Sequence, residues 1–111
     1  MMPPIIATTS PSVPGFRILK VVGLVSGLTA RTRGVGGKFI AGLQSLAGGE
    51  ITAFTSEMLK ARDEALQRAM DQARYLGANA IISIDFETSE IFETVVLVSV
   101  TGTAVVIEPE R

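Results

Sequence analysis

The segment RTRGVGGKF, residues 31–39, sets three basic side chains among three glycines. Glycines let a backbone come close to a phosphate and basic groups match its charge, so this is the composition of an anion-holding loop. The spacing narrows that chemistry. A nucleotide-binding P-loop needs GxxxxGK followed by Ser or Thr, whose hydroxyl ligates magnesium. Counting back from Gly37-Lys38, the first position is Thr32, and Phe39 follows Lys38, so both ends fail. A dinucleotide fingerprint counted from Gly34 and Gly36 requires glycine where Phe39 stands. Two readings stay open: a small anion met by Arg31, Arg33 and Lys38 at the start of a following helix, or a solvated loop between elements.

A second cation stands out by position. In ITAFTSEMLKARDEALQRAMDQARYLG, residues 51–77, stepping about 100° per residue gathers Met58, Ala65, Leu66, Ala69, Met70, Ala73 and Leu76 on one side. Arg62 falls in the middle of that arc. A guanidinium buried there needs fixed acceptors, which makes Arg62 either a structural ion pair, with Asp85, Glu87 or strand carbonyls as candidate partners, or an anchor for an anionic ligand. The segment DFETSEIFE holds Asp85, Glu87, Glu90 and Glu93 without a base, and Asp85 and Glu87 share a strand face. Hard cations favour such oxygens, yet the spacing is not that of a calcium loop, and charged hairpin tips commonly keep an edge soluble.

The chain contains neither cysteine nor histidine. Disulfides, thiol chemistry, imidazole catalysis and nearly every soft-metal site are thereby excluded. Ser26, Ser83, Ser99, Thr101 and Thr103 have no imidazole to activate them, and methionines on an apolar helix face are packing groups rather than metal ligands. Enzymatic activity is not expected, and no cofactor is.

These residues must be positioned by a single domain, because 111 residues do not divide into two useful cores. Residues 1–15 contain four of the five prolines and should be extended, with IIATT (5–9) as a candidate edge strand. FRILKVVGLVSG (16–27) reads as a strand. After the basic loop, Phe39, Ile40, Leu43 and Leu46 predict a short amphipathic helix stopped by Gly48-Gly49. The long helix spans 51–76 with Gly77 behind it. AIISIDFE (80–87) is a strand, TSEIF turns the chain, and 93–108 returns as a strand in which Gly102 allows a bulge or bend. The expected class is α+β: β-α-β-β, a mainly antiparallel three-stranded sheet in order 1-3-2 on one long helix, with the last strand central because it lacks charges from 94 to 107.

Composition bears on partners. Hydrophobic residues make up 47% of the chain and mean hydropathy is +0.41, high for a small soluble domain, so the surplus is expected to cover subunit interfaces. The longest aliphatic runs, such as VVLV at 95–98, are far short of the roughly 20 residues that span a bilayer. The start MMPPIIATTSP has no signal-peptide pattern, which points to the cytoplasm. A net charge of −1 gives no general attraction for nucleic acid.

The ordered set GLVSG (23–27), GGE (48–50), KARDEAL (60–66), LGANAII (76–82), TSEI (88–91) and GTAV (102–105) resembles the YbjQ-like family of small bacterial and archaeal proteins, also described as heavy-metal-binding domains. The resemblance covers residues 8 to 108. It implies a dodecin-like β-α-β-β subunit that assembles into a homopentamer, with no established activity. The metal label finds no cysteine or histidine here, Phe54 stands where the family often has tyrosine, and Thr101 stands before GTAV where tyrosine is common. Arg62 matches the family's helix arginine. Together these point to a non-enzymatic homo-oligomeric binding or scaffold protein, with a ligand- or metal-ion-binding module as the alternative.

Overall fold

A computed structural model describes residues 4–32, 49–92 and 95–110. The elements in chain order are β1 (Ile6–Ala7), β2 (Phe16–Thr32), α1 (Gly49–Tyr75), β3 (Ala80–Phe92) and β4 (Val95–Pro109). The short helix expected at 39–47, and with it Lys38 and Arg33, lies outside the described residues.

The three long strands lie in the expected order, with β4, uncharged as far as Ile107, between β3 and β2, both antiparallel to it. The sheet nevertheless has four strands, not three. Ile6 and Ala7 pair parallel with Ala80 and Ile81, so the N-terminal segment extends the sheet in the order β1-β3-β4-β2. Its attachment continues where Ile84 N–H donates to Thr8 O at 3.1 Å and Ser83 N–H to Ser10 O at 2.9 Å. Ser83 adopts a positive φ of 54° in the bulge between Ile82 and Asp85, opposite Gly102. The irregularity expected at Gly102 therefore belongs to the facing strand.

Two strand ends differ from the sequence reading. β2 does not stop at Gly27 but runs to Thr32, paired with β4 as far as Val95. Gly27 is a strand residue for a different reason: a Cβ there would lie 1.8 Å from the Ala65 carbonyl oxygen and 2.9 Å from Ala69 N. Helix and strand meet backbone to backbone. Likewise TSEIF is no turn, since Thr88 pairs with Val98, Ser89 with Leu97 and Phe92 with Val95. Thr88, Ile91 and Phe92 favour extended backbone, and with a partner strand available extension is the stable state.

The helix is held by its smallest residues. Ala61, Ala65, Ala69 and Ala73 are fully buried, one per turn, against Val25, Ile81, Ile84, Val98, Val100 and Ala104. Met58, Leu66 and Met70 flank this ridge half-buried. A second, smaller cluster on the opposite face of the sheet joins Ala80, Ile82, Val105 and Ile107 to Val13 and Phe16. The molecule is elongated, 58 × 27 × 22 Å with a radius of gyration of 17.3 Å. A compact chain of this length would have about 13 Å.

Candidate functional site

Arg31 lies near the end of β2 and not in a loop. Its side chain is 27% exposed and reaches α1, where it pairs with Glu64 and, at 3.5 Å, with Glu57. Glu57 and Glu64 are seven residues apart and so share one face of the helix. The same network takes in Lys60, 3.7 Å from Glu57, and Arg68, 3.5 Å from Glu64. Lys60 thus pairs with Glu57 three residues before it on the helix. The guanidinium of Arg31 is answered within the chain by two carboxylates, which weakens the field it offers to an anion.

Arg62 is exposed, contrary to the buried position expected from the wheel. Its guanidinium stacks over the Phe86 ring at 4.4 Å from the centroid. The reason is the alanine ridge. The helix packs along Ala61, Ala65, Ala69 and Ala73, and Arg62 stands beside that line, over the partly buried aromatic of β3. Asp85 and Glu87 are not its partners among the described ion pairs. They pair in register with Thr101 and Ser99 and point to the sheet face away from α1, while Phe86 faces the helix. Arg31 and Arg62 are therefore on different faces of the helix and are not brought into one site.

The outer sheet face is polar along part of its length. Ser26, Thr101 and Asp85 form one cross-strand row and Leu28, Ser99 and Glu87 the next. Apolar exposure concentrates on β2, where Leu24 is 81% and Val21 62% accessible. An open concavity of about 620 Å³ is lined by Arg17, Glu108, Pro109 and Glu110. Its walls are an ion pair, Arg17 Nε donating to Glu108 at 2.6 Å, and the end of β4, with no apolar pocket to hold an organic ligand. Among the described residues no group of three or more acidic side chains could hold a metal ion, and no helix is long and apolar enough to cross a membrane.

Three residues that organise this region carry no sequence signal by themselves. Gln72 Oε1 accepts the Ser26 N–H at 2.8 Å, and Arg68 donates to the Leu28 carbonyl, so helix side chains satisfy backbone groups of β2. Thr29 is 2% exposed beneath the helix, and its hydroxyl has no partner among the described residues. Only the four-residue spacing of Arg68 and Gln72 beside the alanine ridge hints at their shared direction.

A family model described as "Putative heavy-metal-binding" matches residues 5–108. The chain is 44% identical over 108 residues to a UPF0145 protein of Picrophilus torridus, covering 97% of this chain and 92% of that one. It is 42% identical over 111 residues, the whole of both chains, to a UPF0145 protein of Bradyrhizobium. Among solved structures it is similar to a protein of unknown function from Pediococcus pentosaceus assigned to the DUF74 family, with a TM-score of 0.63 at 20% identity, covering 94% of this chain and 98% of that one. That likeness concerns the fold.

Proposed function

Since the chain belongs to this YbjQ or UPF0145 family, whose function is unknown, we propose that it acts as the subunit of a non-enzymatic homo-oligomer, a ring of about five copies that serves in binding or scaffolding in the cytoplasm. The observation that carries the reading is the long β2 strand at the sheet edge, with Ile18, Leu19, Val21, Leu24 and Leu28 all between 41% and 81% exposed. A monomer that left this strand in water would carry an aggregation hazard. Against catalysis stand the missing imidazole and thiol and the internal pairing of Arg31. Native mass spectrometry from mild buffer tests the proposal: a single closed species near five chains is expected, and a stable monomer at micromolar concentration would refute it.

The family description favours a second reading, a metal-ion or ligand module with sites between subunits. Arg31, Arg33, Lys38 and Arg62 are its candidate contacts for a small anion. For soft metals the donor set fits poorly, because thiolate and imidazole supply most such affinity and the chain has neither. Calorimetric titration with zinc should show no site tighter than roughly micromolar. A stoichiometric nanomolar site would establish the second reading over the first.

A further inference from the structure

The N-terminal segment is fastened lightly to the body of the fold. Of residues 4–10 only Ile5 is buried, in the cluster that holds Ala78, Ile81 and Ile84, with Ala7 half-buried beside it. The segment carries no charged side chain, since the first in the chain is Arg17, so no side-chain ion pair ties it down. Its backbone takes part in bonds from Ile6 N–H to Asn79 O at 3.3 Å and from Thr8 N–H to Ile81 O at 2.9 Å. It also receives two amides of β3, Ile84 N–H at Thr8 O and Ser83 N–H at Ser10 O. These two come from neighbouring residues. In a regular strand successive N–H groups point to opposite edges, so one neighbour could not receive both. Here both reach the same segment because Ser83 stands at a φ of 54° in the bulge, where neither Ser83 nor Ile84 pairs with β4. A positive φ at serine is strained backbone, and its result is a pair of amides aimed at residues 8–10.

We infer that residues 4–10 are a releasable strap over the edge of β3, opening as one unit while the helix and the three long strands stay folded, and that the Ser83 bulge is the catch that closes it. Segments with few buried apolar contacts are the ones that open locally. The strap has a hinge: Pro11 and Pro14 follow it, and Gly15 takes a φ of 84°. Beyond the hinge the chain is held separately. Val13 and Phe16 sit in the cluster on the other sheet face, and the Glu110 N–H donates to Gly15 O at 2.9 Å. Release of the strap therefore leaves β2 in place. It uncovers Ile81 and Ile84 and strips the Ile81 carbonyl and the two bulge amides of their partners, which makes that stretch of β3 a strand-accepting edge. Further along, β3 carries Asp85, Glu87 and Glu90, charges that discourage strand pairing, so the strap covers the stretch that has no such charge.

Backbone amide exchange in the full chain, at several urea concentrations below the unfolding transition, tests this. Thr8, Ser83 and Ile84 should share one opening constant, about a hundredfold or more above that of Val100 in central β4. They should respond weakly to urea, because little surface is exposed, where Val100 responds steeply. Ile82, next to the bulge but paired with Thr103 of β4, should behave like Val100. Ile5→Ala should raise the opening constant of Thr8, Ser83 and Ile84 by one common factor of about ten or more. Three amides that follow Val100 in rate and urea dependence would overturn the inference, because the strap would then leave only on global unfolding. Three different opening constants would overturn it too, as would an Ile5→Ala protein in which they do not rise. If Ile5→Ala fails to fold, the urea series on the parent decides alone.

Discussion

Gly27→Ala should be among the most damaging single-methyl changes this chain can undergo. The new Cβ would sit 1.8 Å from the Ala65 carbonyl oxygen, 2.8 Å from its carbon and 2.9 Å from Ala69 N. All three are helix backbone atoms, so no rotamer relieves the contact. Restoring ordinary contact at 3.4 Å requires helix and strand to part by about 1.6 Å. That separation acts along the ridge of Ala61, Ala65, Ala69 and Ala73, whose short side chains cannot follow. Overpacking commonly costs 1–3 kcal/mol where side chains can shift, and with backbone on both sides about 3–5 kcal/mol is expected. A domain of this length has a total stability of roughly 6–17 kcal/mol, so the loss is a large share. At about 4 °C per kcal/mol, thermal denaturation followed by circular dichroism should show Tm falling by more than ten degrees. Ala65→Gly should not rescue the variant, because the obstacle is the Ala65 carbonyl and not its methyl group. A Gly27→Ala protein melting within two degrees of the parent, or a full rescue by Ala65→Gly, would refute the backbone contact.

Thr29→Val replaces a buried hydroxyl that lacks a partner among the described residues with a methyl group of the same shape, and should stabilise the protein by about 1 kcal/mol, read as a raised denaturation midpoint at unchanged slope. Arg62→Ala should cost only about 0.5–1 kcal/mol, the worth of an exposed cation–π stack, and a loss above 3 kcal/mol would restore the buried ion-pair reading. Arg31→Ala breaks two partly exposed ion pairs and should cost about 1 kcal/mol, and phosphate should raise the Tm of parent and variant equally little.

The sequence reading and the structure agree where pattern and packing ask for the same thing. An uncharged run from 94 to 107 belongs at the centre of a sheet, and β4 is there. An apolar arc over four or more turns makes a helix, and α1 is one. They part where a local signal has two physical causes. Gly27 was consistent with a strand end, but glycine also serves where another backbone comes too close for a Cβ, and only the helix position distinguishes the two. The wheel weighted Met58, Leu66 and Met70 as heavily as the alanines, which moved its centre onto Arg62. Close approach is governed by the smallest side chains, so the true contact line runs through Ala61 to Ala73 and Arg62 stands off it. The basic segment misled for the same kind of reason. Arg31 looked like part of a glycine loop because its partners, Glu57 and Glu64, are more than twenty residues away and meet it only when β2 extends beneath α1.

The lengths of the elements explain why so much of the sheet edge is left open. A helix of 27 residues is about 40 Å long, and a strand of 17 residues spans about 56 Å. Even a helix laid wholly on β2 would leave several strand residues uncovered. The ion pairs of Arg31 fix the relative position more severely, setting the C-terminal end of β2 against Glu57 and Glu64, about two and four turns inside α1. The helix then reaches Ser26 with Gln72 and ends three residues later. What remains is Phe16 to Leu24, nine residues and about 30 Å of strand, broken by register shifts at Ile18/Lys20 and Val21/Gly23. A longer helix ending in polar residues would have closed that edge within the chain. Here the chain turns instead at Leu76-Gly77, where Gly77 takes a φ of 88°, and returns to the sheet as β3. The same turn that completes the subunit thus leaves its edge strand exposed, and the burial of that strand depends on what lies outside the chain.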